Sequence, residues 1–123
     1  MAQYAIERFV GVNAAAAADT VYKIWPLETK GKLSSVYFVP DAAATLHATN
    51  YVTLDFNIGG TTVATFNTAA TSLVAGTEQA LTISGVGTAI EVSFGDQLAF
   101  DYAHAAAGVQ TEGTWVAVFD LIR

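Results

Sequence analysis

Tyr51-Val-Thr-Leu-Asp-Phe-Asn-Ile58, then Gly59-Gly60, then Thr61-Thr-Val-Ala-Thr-Phe66: these sixteen residues decide the fold class. Val52, Leu54, Phe56 and Ile58 fall at every second position, with Tyr51, Thr53, Asp55 and Asn57 between them. A period of two is that of a strand with one face buried and the other wet. Two glycines then supply the backbone freedom of a tight turn, and the chain returns as a second strand. A plain two-residue turn would pair Phe56 with Val63 and put Phe66 on the polar face. A three-residue loop with a bulge would pair Leu54 with Phe66 and keep that ring inside. The second is expected, because register follows the buried face.

The same alternation marks other spans. They are 4–12, 20–25 (stopped by Pro26), 32–39 (stopped by Pro40), 79–84, 89–94, 97–103 and 114–122. In the last, Trp115, Ala117, Phe119 and Leu121 share one face; Val116 and Val118 on the other suggest cover on both sides. Eight to nine short strands with frequent turn signals predict an all-β, antiparallel β-sandwich, of jelly-roll type. Helix signals are weak: the Ala-rich stretches at 14–18, 41–44 and 104–108 are too short to stand as helices. They read as loops, and their small side chains would allow close contact around a symmetry axis.

A chain of 123 residues forms one domain, 1–123, and buries about two-thirds of its unfolded surface. It has no Cys, hence no disulfide and no thiolate metal site. The first residues lack a basic segment followed by an apolar one, so no secretory signal is expected. No apolar run reaches the ~20 residues that span a bilayer.

Charge is the second anomaly. From Leu33 to Ile122 there is no Lys or Arg, while Asp41, Asp55, Glu78, Glu91, Asp96, Asp101, Glu112 and Asp120 are spread through those residues. Arg8, Lys23, Lys30 and Lys32 lie in the first quarter, Arg123 closes the chain, and the net charge is -6. Such a chain is not expected to track nucleic acid or sit on an anionic membrane. Charged residues are only 13% and apolar ones 53%, with a mean hydropathy of +0.42. Soluble domains carry about 25% charge, so part of the surface is expected to be covered by other subunits.

No motif carries chemistry. His47 and His104 are the only histidines, too few for zinc without Cys. Ser84-Gly-Val-Gly87 is neither a nucleophile elbow nor a phosphate cradle. Asp96 and Asp101 fall on alternate faces of a strand. Asp55-x-Asn57-x-Gly59 lacks the closing Glu of a calcium loop. The expectation is therefore no catalytic residue, no metal and no cofactor. Trp25 and Trp115 have two readings: glycan stacking on the surface of a lectin-like module, or core packing, where indoles bury large area.

Gly95-Asp96-Gln97-Leu98-Ala99-Phe100-Asp101, after Ile90-Glu-Val-Ser-Phe94, resembles the Gly-Asp hairpin of jelly-roll modules in the TNF-like class and in phage head and fibre parts. With Thr20-Val-Tyr-Lys-Ile-Trp25, Lys32-Leu-Ser-Ser-Val-Tyr-Phe38 and the Gly59-Gly60 turn, the chain is similar to small structural proteins of tailed bacteriophages. These are capsid decoration proteins, which stabilise the shell from outside. The resemblance implies a non-enzymatic virion protein on the capsid exterior. It would be made in the host cytoplasm, form a homotrimer and bind the major capsid protein. It assigns no binding residue. Charge alone makes residues 1–32, with Arg8, Lys23, Lys30 and Lys32, the segment expected to meet an acidic partner surface. A tail or fibre component or a glycan-binding module are the alternatives.

Overall fold

The computed structural model describes residues 3–10, 18–106 and 112–122. Its elements are β1 (Gln3–Val10), β2 (Ala18–Ile24), β3 (Lys30–Pro40), β4 (Val52–Ile58), β5 (Thr61–Asn67), β6 (Gln79–Ala80), β7 (Thr82–Ile83), a 3₁₀ turn (Gly87–Ile90), β8 (Glu91–Val92), β9 (Gln97–His104) and β10 (Gly113–Ile122). All pairings are antiparallel. One sheet runs β1-β10-β3-β6, with β8 also on β3; the other runs β2-β9-β4-β5-β7.

The order is that of a jelly roll. The first strand pairs with the last (β1 with β10), the second with the next to last (β2 with β9), and the middle pair closes as a hairpin (β4 with β5). Apart from that hairpin, each connection carries the chain from one sheet to the other. Sheet-switching explains two departures from the sequence reading. The span 79–84 is not one strand. Its first residues pair with β3, its last with β5, and buried Leu81 marks the crossing. The Gly-Asp turn is not a hairpin either: β8 lies in the first sheet and β9 in the second, so the turn is a corner. The Ser93 carbonyl accepts the Asp96 amide at 3.0 Å, and the Asp96 carboxylate accepts the Ser93 amide at 2.8 Å. Span 89–94 shortens to Glu91–Val92, and positions 11 and 12 of the first expected strand lie outside the described residues.

The hairpin around Gly59-Gly60 combines the two alternatives. Leu54 does stand opposite Phe66, yet Ile58 faces Thr61 across a two-residue turn. Both glycines have positive φ, 57° and 84°, as a hairpin turn of matching twist requires. The extra residue sits in β5: Phe56 faces Ala64 and Asn57 faces Thr62, which leaves Val63 as the bulge. Val63 and Ala64 are both buried, and the Val63 carbonyl accepts the amides of Ser84 and Gly85.

The core lies between the sheets. Phe38, Trp115, Ala117 and Phe119 come from the first sheet; Leu54, Phe56, Leu98, Phe100 and Tyr102 come from the second, with Trp25 at the end of β2. Trp115 lies parallel to Phe100 (5.4 Å between centroids, 8° between planes). At the mouth of this layer, Gly113 opens β10 opposite Pro40. A Cβ there would stand 2.5 Å from both the Phe38 ring and the Val39 carbonyl oxygen. Gly113→Ala is therefore expected to cost about 1–3 kcal/mol through overpacking. A lowered urea midpoint at unchanged slope checks it; an unshifted midpoint contradicts the contact.

Candidate functional site

The structure scatters the residues expected to meet a partner. Lys30 and Lys32 are both exposed on β3. Lys32 has Asp120 of β10 and Glu91 of β8 as its cross-strand neighbours, so carboxylates flank it on both sides. Lys23 alternates with the exposed Tyr22 and Ile24 and is half-buried, on the core side of the edge strand β2. A charge turned inward on an edge strand opposes edge-to-edge pairing with another chain, a role that needs no partner. Arg8 stands on β1 at the register position of Trp115. Arg123 lies outside the described residues.

The glycan-stacking reading of Trp25 and Trp115 is corrected by their burial. Both side chains are fully enclosed. Trp25 packs on Phe119 and donates its indole N–H to the Thr29 carbonyl at 3.1 Å. Trp115 packs on Phe56 and Phe100. Neither presents a ring to a sugar. Tyr102 on β9 is likewise buried.

The histidines do different work. His47 is an exposed loop residue whose Nδ1 accepts the amides of Thr49 and Asn50, at 3.0 and 2.8 Å. His104 ends β9 opposite Val52 and is half-buried; its ring nitrogens have no hydrogen-bond partner among the described residues. No group of three or more His, Cys, Asp or Glu that could hold a metal occurs among the described residues.

The outer face of the second sheet carries a polar ladder across four strands. Thr20 Oγ1 donates to Asp101 Oδ1 at 2.8 Å, and Asn57 Nδ2 donates to Asp101 Oδ2 at 2.6 Å. Thr62 Oγ1 donates to Asn57 Oδ1 at 2.7 Å, and Thr65 Oγ1 donates to Asp55. Asp55 and Asp101 stand directly opposite each other on β4 and β9. Like charges so placed destabilise a sheet, and the hydroxyl and amide donors offset that. Asn57, which the alternation put in solvent, is only 9% exposed beneath these neighbours.

Two further surfaces stand out. At one corner, Tyr22 (57% exposed) and Ile24 (51%) leave the outer side of β2. Phe94 (66% exposed) is in the corner whose backbone is tied to the end of β2: Gly95 N–H donates to the Trp25 carbonyl and Trp25 N–H to the Asp96 carbonyl. The other surface is the outside of the first sheet, where Val116, Val118, Tyr37 and Val39 are only half-buried. The described residues do not supply the second cover expected over Val116 and Val118.

No protein-family model and no curated protein matches the chain. Among solved structures, a chain of the T=1 particles derived from infectious bursal virus is similar at 14% identity and a TM-score of 0.29, over 98% of this chain and 40% of that one. A chain of infectious bursal disease virus, Gt strain, is similar at 14% identity and a TM-score of 0.25, over 99% of this chain and 40% of that one. This chain thus spans about 40% of the length of either. Likeness at these TM-scores carries no weight for fold or function. The jelly-roll assignment rests on the strand order, and the chain is classed by that order as a jelly-roll β-sandwich.

The ladder is open to test. Asp101→Ala removes the acceptor of both Thr20 and the enclosed Asn57 amide, an expected loss of about 1–3 kcal/mol. Thermal unfolding should show a Tm lower by several degrees; a Tm equal to that of the parent contradicts the ladder's role.

Proposed function

We propose that this chain is a non-enzymatic structural protein of a virus particle, which decorates the outer surface of a phage head and stabilises the shell. Its partner is the major capsid protein. The observation that carries the reading is the corner formed by Tyr22, Ile24 and Phe94. Three large apolar side chains, each more than half exposed, lie on β2 and on the corner hydrogen-bonded to its end, in a chain with few charges. Exposed apolar clusters of this kind mark interaction surfaces. The strand order agrees with the jelly-roll resemblance read from sequence.

The mechanism is burial of the corner against the shell. One copy gains little, because association entropy opposes a small contact. Many copies on a repeating lattice hold the shell together through many such contacts. The buried Trp25 and Trp115 remove the specific support for the glycan-binding alternative.

Pelleting with purified, undecorated heads tests the proposal. The parent protein is expected to co-sediment to a fixed stoichiometry. Ile24→Asp with Phe94→Asp, both at exposed positions, is expected to weaken binding by about tenfold or more, which corresponds to at least ~1.4 kcal/mol. Unchanged occupancy of the variant, or no binding of the parent to heads, overturns it. Binding to isolated tails instead would place the chain in a tail or fibre.

A further inference from the structure

We propose that His47 is an acid-sensitive latch: its neutral imidazole holds residues 47–50 as a closed turn, and a proton on Nδ1 releases that turn while the sandwich stays folded. Two backbone amides converge on the one ring nitrogen. Thr49 N–H donates to Nδ1 at 3.0 Å and Asn50 N–H at 2.8 Å. A ring nitrogen that accepts carries no hydrogen, so the neutral ring holds its own hydrogen on Nε2. Protonated imidazole is a donor at both nitrogens. Nδ1–H would then face two N–H groups, and both bonds are lost together.

Residue type sets this turn apart. Bonding the amides two and three residues on is ordinarily the work of Asn, Asp, Ser or Thr. Nδ1 of a His, attached to Cγ, lies at the same reach as Oδ1 of Asn or Asp. An Asn oxygen accepts whatever the pH, and an Asp carboxylate accepts down to about pH 4. Histidine is the side chain whose charge ordinarily changes between about pH 5 and 8. Position 47 thus holds the acceptor that mild acid removes.

The flanks of the loop are held by bonds that do not use the ring. His47 N–H donates to the Thr68 carbonyl at 3.1 Å. Thr68 is buried and bonded twice to Val52: its N–H donates to the Val52 carbonyl, and its Oγ1 accepts the Val52 amide, both at 2.9 Å. On the other side Ala44 and Leu73 exchange backbone bonds at 3.1 and 2.9 Å. Opening is therefore confined to the turn. The two amides are the ring's hydrogen-bond partners among the described residues. The segment packed on the loop, 67–73, has no titratable side chain, and the loop itself adds Asp41 and Tyr51. Asp19, Glu78, Tyr102, His104 and Glu112 are the other titratable residues toward this end of the sandwich, and stretches 11–17 and 107–111 contain none. Of these, His104 alone is of the type that titrates in the same range. The latch does not depend on the shell reading. It sits at the Val52 end of β4, while the Tyr22–Phe94 corner lies toward the Ile58 end, where Gly59 N–H donates to the Gln97 carbonyl.

Two-dimensional NMR of the full chain from pH 8 to pH 5, the ordinary range of histidine, tests the latch. In the parent, the Thr49 and Asn50 amides are expected to shift with the His47 ring on one midpoint. Their protection from exchange, relative to peptide rates at the same pH, should fall about tenfold. The amides of Phe56 and Phe100, inside the ladders, should stay protected. His47→Asn supplies an acceptor that does not titrate and should keep both turn amides protected throughout. His47→Ala should leave them unprotected at either end of the range. Turn amides that hold still while the His47 ring titrates overturn the proposal, and the parent alone decides this. So does a pH response that survives in His47→Asn, which would trace it to His104, or protection that persists in His47→Ala.

Discussion

The aromatic layer between the sheets is the interaction on which the rest depends. Among the described residues six ring pairs are in contact: Trp25–Phe119, Phe38–Phe100, Phe38–Tyr102, Phe56–Trp115, Phe56–Phe119 and Phe100–Trp115. The last five cross from one sheet to the other, and Trp25 packs on the first sheet from just past the end of β2. Each such pair adds about 0.5–1.5 kcal/mol beyond the area it buries. The layer also explains the topology. Strands distant in sequence are neighbours in each sheet, and their hydrogen bonds hold each sheet together. The crossing rings, with the aliphatic side chains of the core, fix one sheet upon the other. Gly113 is small because the edge of the Phe38 ring occupies the space its Cβ would fill.

Much of this was legible in the sequence. The alternation through 51–58 located β4 and its buried face, and the demand that Phe66 stay inside gave its partner correctly as Leu54. That reading put the extra residue in the turn; the fold puts it at Val63, whose carbonyl receives the chain as it arrives from β7. Only a non-local neighbour decides between those positions. Sheet-switching was hidden for the same reason. Local periodicity gives which face is apolar, but not that residues 79–80 and 82–83 belong to different sheets.

The candidate surface was less legible than the fold. Sequence grouped Lys23, Lys30 and Lys32 by their nearness in the chain, and the jelly roll separated them, since β2 and β3 lie in different sheets. It left Trp25 and Trp115 open between surface and core, and the core took both. Composition does not say which ring is inside. A shortage of charge pointed to covered surface without naming a face. One face carries the Asp101 ladder in a lattice of internal hydrogen bonds, and Tyr22, Ile24 and Phe94 are exposed.

The central claim is that this chain is a repeating structural unit on a viral shell. A cryo-electron microscopy map of particles assembled with the protein measures that directly. The account predicts two-layered β-sandwich density on the outer surface, repeated with the symmetry of the head lattice and touching the shell through the corner of Tyr22, Ile24 and Phe94. Particles whose heads carry no added density when the protein is present would contradict it.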